Sequence, residues 1–206
     1  MCKSVVFVVL IVLCLASIPL HASGSNLVQN PGFEDGTFAN WTNSTDWSIY
    51  STGIDGPDYS DPGPNSGTYA AQSSCIGATC ISGPTSILSQ DLTTVPGQEY
   101  LFSFYYTSNT QVFEDASTPN ELLALWGGTQ VDDIVNQPGD GVWQSFSVIV
   151  TATSTTTEIQ FNGRDDPAFV FIDDVSVEAI PEPSTLALTG LGALAAALYL
   201  WRARRT

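Results

Sequence analysis

What most constrains this chain is an alternation of apolar and polar residues that recurs along its middle and is broken only by turn formers. In EYLFSFYY, Phe102, Phe104 and Tyr106 fall on one face of an extended segment and Leu101, Ser103 and Tyr105 on the other. VWQSFSVIVTA repeats the pattern, with Val142, Phe146, Val148 and Val150 sharing a parity. Further short segments read the same way: NLV at 26–28, TYAAQ at 68–72, SILSQDL at 86–92, ELLALW at 121–126, TEIQF at 157–161 and AFVFIDDVSV at 168–177. Between them lie DGPDYSDPGPNSG, VPGQ, QPGDG and GRDDP, which supply the Gly, Pro, Asp and Asn that tight turns demand. Eight strands and no helix at this spacing predict an all-β domain, an antiparallel β-sandwich and most simply a jelly roll.

The two ends differ from this middle. Lys3, the apolar run Val5 to Ala16 and the small residues Ala22-Ser23-Gly24 make residues 1–24 read as a signal peptide for export. Leu13 precedes Cys14 where a lipoprotein signal would place Gly or Ala, which argues against lipidation. At the other end, Pro181, Glu182, Pro183 and Ser184 open residues 181–206. An uncharged run over 185–201 follows, and Arg202, Arg204 and Arg205 stand in the basic end 202–206. As a helix that run is roughly 25 Å long, barely enough to serve as a single C-terminal transmembrane helix in a core of about 30 Å. The arginines predict a cytoplasmic end, leaving residues 25–180 outside as one domain.

Charge then limits what that domain does. Lys3 and the three tail arginines leave Arg164 as its one basic residue, in a chain of net charge −16. Such acidity repels phosphate backbones, so nucleic acid is not an expected partner, whereas cations and neutral polysaccharide are. The single histidine, His21, lies in the signal, and the domain holds no lysine, so His-assisted nucleophiles, Schiff bases and histidine-ligated zinc are excluded. Cys75 and Cys80, in SSCIGATC, are expected to form a small local disulfide in an oxidising compartment.

NLVQNPGFEDGTFANWT, VPGQEYLFSF and FVFIDDVSV together resemble the galactose-binding-like jelly rolls of carbohydrate-binding modules, across the domain. PEPSTLALTGLGALAAALYLWRARR is similar to the sorting tail of PEP-CTERM proteins of Gram-negative bacteria. This resemblance implies an export route. Signal peptidase removes the leader, the tail holds the precursor at the inner membrane, and an exosortase cuts near Pro181 to Ser184. The domain then passes to the cell surface or to an extracellular, biofilm-type matrix. A permanent anchor is the simpler alternative. The jelly-roll resemblance also implies a structural calcium where NPGFE meets IDDV, with Glu34 and Asp173 as ligands, since calcium takes hard carboxylate and carbonyl oxygens. Asp174 belongs to the same acidic pair but faces the opposite side under strict alternation.

A sugar site needs aromatic platforms with polar neighbours. The candidates are Trp47, Tyr50, Tyr59, Tyr105 and Trp126, while Trp41 and Trp143 read as core. Arg164, beside Asp165 and Asp166, is either structurally paired or a bidentate sugar contact. Glycoside hydrolysis needs only two carboxylates. Asp132-Asp133 and Asp165-Asp166 are adjacent, however, and would point to opposite faces of a strand. The expectation is a non-catalytic module that binds carbohydrate. A calcium-stabilised matrix protein without sugar recognition is the alternative.

Overall fold

The computed structural model describes residues 24–44, 46–52, 62–73, 86–109, 120–165, 168–181 and 185–204. Tyr59, Cys75, Cys80, Glu182, Pro183, Ser184 and Arg205 lie outside the described residues, so the expected disulfide does too. Gly24–Ile180 forms one compact unit.

Among the described residues, ten strands build that unit: β1 (Thr42–Asn43), β2 (Trp47–Tyr50), β3 (Ala70–Ser73), β4 (Ser86–Thr93), β5 (Glu99–Ser108), β6 (Asn120–Trp126), β7 (Thr129–Val135), β8 (Gln144–Thr151), β9 (Thr156–Asp165) and β10 (Val170–Ala179). They pair antiparallel in two five-stranded sheets, of order β1-β4-β9-β6-β7 and β2-β3-β10-β5-β8. The parity seen in the sequence sets the faces. Tyr100, Phe102 and Phe104 of β5 are buried, as are Ile159 and Phe161 of β9. Phe161 meets Phe104 edge-on at 4.9 Å and Phe102 at 6.0 Å, so aromatic rings from both sheets interlock in one core.

The expected set of strands loses NLV and gains β1, β2 and β7. NLV at 26–28 is not a strand, yet it is held to β10. Asn26 Oδ1 accepts from the Val177 amide at 2.9 Å, and the Leu27 amide donates to the Val177 carbonyl at 2.9 Å. The strand β7 escapes the sequence pattern because it is an edge strand burying only Ile134, with Asp132 and Asp133 in its middle. Gly127 and Gly128 join it to β6 with φ of 54° and 78°, the left-handed pair of a tight hairpin turn.

Close approach of the sheets demands glycine at 163. A Cβ there would lie 2.7 Å from Ser73 Cβ and 2.9 Å from Trp47 Cζ2. Gly163→Ala is expected to force the sheets apart and cost about 1–3 kcal/mol, read as a lower denaturation midpoint at unchanged slope.

Described by itself, the tail segment is a helix, α1 (Thr185–Ala203). The structure does not bear out the expected membrane span: among the described residues no helix is long and apolar enough to cross a membrane. The uncharged stretch gives roughly 25 Å against a core of about 30 Å, and Arg202 already occupies the last turn.

Candidate functional site

Three acids named from the sequence converge on the turn before β3. The Glu34 carboxylate accepts from the amides of Thr68 and Tyr69, at 3.0 Å each. Asp173 Oδ2 accepts from the Ser66 amide at 3.1 Å. Asp174 accepts from Ser66 Oγ and Asn65 Nδ2, both at 2.7 Å. The prediction that Asp174 would face away is corrected. The register of β10 on β5 shifts between Asp173 and Ser176, and Asp174 takes a φ of 50°, so a bulge suspends the alternation and turns both carboxylates to one side. Asn65, Ser66 and Thr68 were legible only as turn formers, since nothing local marks which acid a turn will serve.

Packing leaves no room for a side chain at Gly67, whereas Gly32 would bring one into ordinary contact. A Cβ on Gly67, at φ 63°, would run into the Glu34 carboxylate, and one on Gly32 would lie 3.4 Å from an oxygen of each aspartate.

The electrostatics of the cluster are strained. Asp173 is fully buried, and that burial pushes its carboxyl up to about 7. The neighbouring Asp174 charge adds to the rise, and the Ser66 amide opposes it. The donor set suits calcium chemically, being hard oxygens around a buried carboxylate. As they stand, these oxygens are engaged by amide and side-chain donors, and among the described residues no group of three His, Cys, Asp or Glu is gathered tightly enough to hold a metal.

The aromatic candidates separate by burial. Trp47 is 2 % exposed and packs in the main core; Tyr50 is fully buried, its hydroxyl accepting from the Gly63 amide at 3.1 Å and its ring edge-on to Phe171 at 4.9 Å. Trp126 lies between Tyr100 and Phe102, with Nε1 donating to the Thr151 carbonyl at 3.0 Å. None of these three offers a free ring face for stacking, which corrects the expectation for them. Trp41 is core as expected, whereas Trp143 is only half-buried in a smaller cluster with Phe171.

Tyr105 is different. It projects from β5 on the outer face of its sheet, 39 % exposed, with Ser145 of β8 directly beside it and the Ser103–Ser147 pair in the next outward row. An exposed ring among hydroxyls is the arrangement a pyranose uses, with C–H bonds on the ring and hydroxyls to the side.

Arg164 sits on β9 directly opposite Glu121 of β6. Partial burial raises the Glu121 pKa, the Asp133 charge raises it further and Arg164 lowers it, so this cation has a structural partner on the sheet. Pro181 lies just beyond the sandwich, where the Ile180 amide donates to the Glu99 carbonyl at 2.9 Å. Arg202 and Arg204 are exposed at the end of the tail.

Residues 179–205 match the PEP-CTERM protein-sorting motif. The sandwich is similar to solved carbohydrate-binding modules. One is TmCBM61 in complex with β-1,4-galactotriose, at 17 % identity and TM-score 0.51, covering 74 % of this chain and 97 % of that one. Another is the CBM22-1 xylan-binding domain from Paenibacillus barcinonensis, at 16 % identity and TM-score 0.52, covering 78 % and 98 %. The enzymatically active domain of tailspike protein 4 of bacteriophage CBA120 shares the fold at 18 % identity and TM-score 0.51, over 75 % of this chain and 21 % of that one. No curated protein matches the chain. The likeness is one of fold: an antiparallel two-sheet sandwich like those of carbohydrate-binding modules, followed by residues that match the PEP-CTERM sorting motif.

Proposed function

We propose that this chain is an exported sorting substrate whose jelly roll binds neutral polysaccharide without cleaving it, at the cell surface or in an extracellular matrix. The observation that carries the binding reading is the exposed Tyr105 ring, flanked by Ser103, Ser145 and Ser147 on an outer sheet face. One neighbour of the same fold is solved in complex with β-1,4-galactotriose and another is a xylan-binding domain, which supports the ligand class. The sorting motif supports the route. Signal peptidase frees the front, the tail retains the precursor at the inner membrane, and an exosortase cuts near Pro181.

Glu34, Asp173 and Asp174 would hold a structural calcium ion by exchanging their present donors at 65–69 for it, and the ion would supply the positive charge that the buried Asp173 otherwise lacks. That cluster also favours a second reading, a calcium-stabilised matrix protein without sugar recognition. Affinity electrophoresis of the full chain separates the two. Migration slowed by xylan or β-1,4-galactan in the gel, and not by plain gel, is expected for the binding module; equal migration in every gel would favour the matrix protein.

A further inference from the structure

A cleft of about 400 Å³ opens between the β6–β7 turn and the β8–β9 connection, away from Tyr105. Its floor is apolar, made by Val131, Val150 and the edge of Trp126. Its rim carries the side chains of Thr129, Thr151, Thr153 and Thr156, all exposed, and none of their hydroxyls bonds to another described residue. In a chain with 21 acidic residues, no charged side chain among the described residues lines this cleft.

The walls are fixed before any ligand arrives. Trp126 is tied to the Thr151 carbonyl, and the connection is pinned by paired amide bonds, Gly97 to the Ala152 carbonyl at 2.8 Å and Ala152 to the Gln98 carbonyl at 3.0 Å. Buried Thr94 Oγ1 holds it further, donating to the Ser154 carbonyl at 2.8 Å and lying 2.9 Å from Thr157 Oγ1. A rigid concavity therefore presents four unspent hydroxyls over an apolar floor, which lowers the ordering cost of binding.

Each feature narrows the ligand. With no cation on its walls, the cleft has nothing to pair with a uronate, sulfate or phosphate. The apolar floor suits the C–H face of a sugar ring, and the rim hydroxyls both donate to and accept from ring hydroxyls. The volume lies at the small end of the roughly 300–1,000 Å³ typical of small-molecule sites. We propose that this cleft is a second saccharide subsite, taking a neutral segment of one or two sugar rings. The inference stands on the cleft alone and does not depend on the Tyr105 face.

The test is NMR of the full chain labelled at threonine methyls, in micelles of a detergent without a sugar head group. It is titrated to millimolar concentration with neutral disaccharides of glucose, galactose, xylose and mannose, and with digalacturonic acid. The methyls of Thr129, Thr153 and Thr156 are expected to shift with at least one neutral disaccharide and not with the acidic one. Thr153→Val with Thr156→Val, isosteric and exposed, should leave Tm unchanged and weaken that binding about tenfold, while Tyr105→Ala leaves the cleft shifts intact. Silence with every neutral disaccharide, equal shifts with digalacturonic acid, or undiminished binding in the double valine variant would overturn the proposal. None of these results touches the Tyr105 reading, which the polysaccharide affinity of Tyr105→Ala tests separately.

Discussion

Adding calcium to chelator-stripped protein is expected to raise its Tm by about 5–10 °C. An ion bound only by the folded state at a hundredfold excess over its Kd contributes about 2.7 kcal/mol, and a chain of this size gains roughly 2–4 °C per kcal/mol. The effect should be large here because Asp173 is a fully buried carboxylate beside Asp174, whose charges nothing but neutral donors meets in the turn at 65–66. Asp173→Asn keeps the shape and removes the charge, so it should abolish the calcium response. Asp91→Asn, exposed on β4, should retain it. Calorimetry with and without calcium checks this. A calcium response that survives Asp173→Asn would reduce the acids to fasteners of the turn.

Tyr105→Ala and Trp126→Ala are expected to fail in different ways. Tyr105 projects from the sheet surface, so its removal should leave Tm within the small range of surface substitutions while weakening polysaccharide binding roughly tenfold or more. Trp126 is 7 % exposed and wedged between Tyr100 and Phe102, so its truncation should cost about 3–5 kcal/mol of stability. Loss of binding in Trp126→Ala would then report a damaged fold, and only the Tyr105 variant speaks to recognition at the sheet face. Titration calorimetry and thermal denaturation of both variants separate the outcomes. Unchanged affinity in Tyr105→Ala would remove that face from the account.

Alternation made the two-sheet fold readable because β5, β9 and β10 each bury one face and bury less of the other. The same logic could not see β7, whose edge position leaves a single residue in the core and allows Asp132 and Asp133 at its centre. Nor could it see the bulge at Asp174, which depends on how β10 meets β5 and not on the residues IDDV themselves. The aromatic candidates show a further limit. Tyr50 reads in the sequence as a ligand-facing ring, yet it is fully buried, because Ala70, Phe171 and Trp143 form a smaller cluster around it, apart from the main core. Parity gives the face; what covers that face is a tertiary fact. The glutamate-turn contact was half legible, since Glu34 was singled out from NPGFE while its partners Thr68 and Tyr69 lie 34 and 35 residues on.

The tail poses the complementary problem. Its motif, helix and arginines are legible in order and match the sorting pattern, although the helix falls short of a span. The β-sandwich ends at Ile180, held by the Glu99 carbonyl and by Gln98 Nε2, which donates to the Ile180 carbonyl at 2.6 Å. The motif therefore begins one residue past the last anchored position.

The most direct test of the account is the mass and cellular location of the mature protein, in its own cells, with and without the exosortase. The account predicts that the tail is lost near Pro181 and that the domain leaves the inner membrane only when the protease is present. A full-length tail that stays in the inner membrane fraction in both strains would contradict it and make IPEPSTLALTG an ordinary anchor.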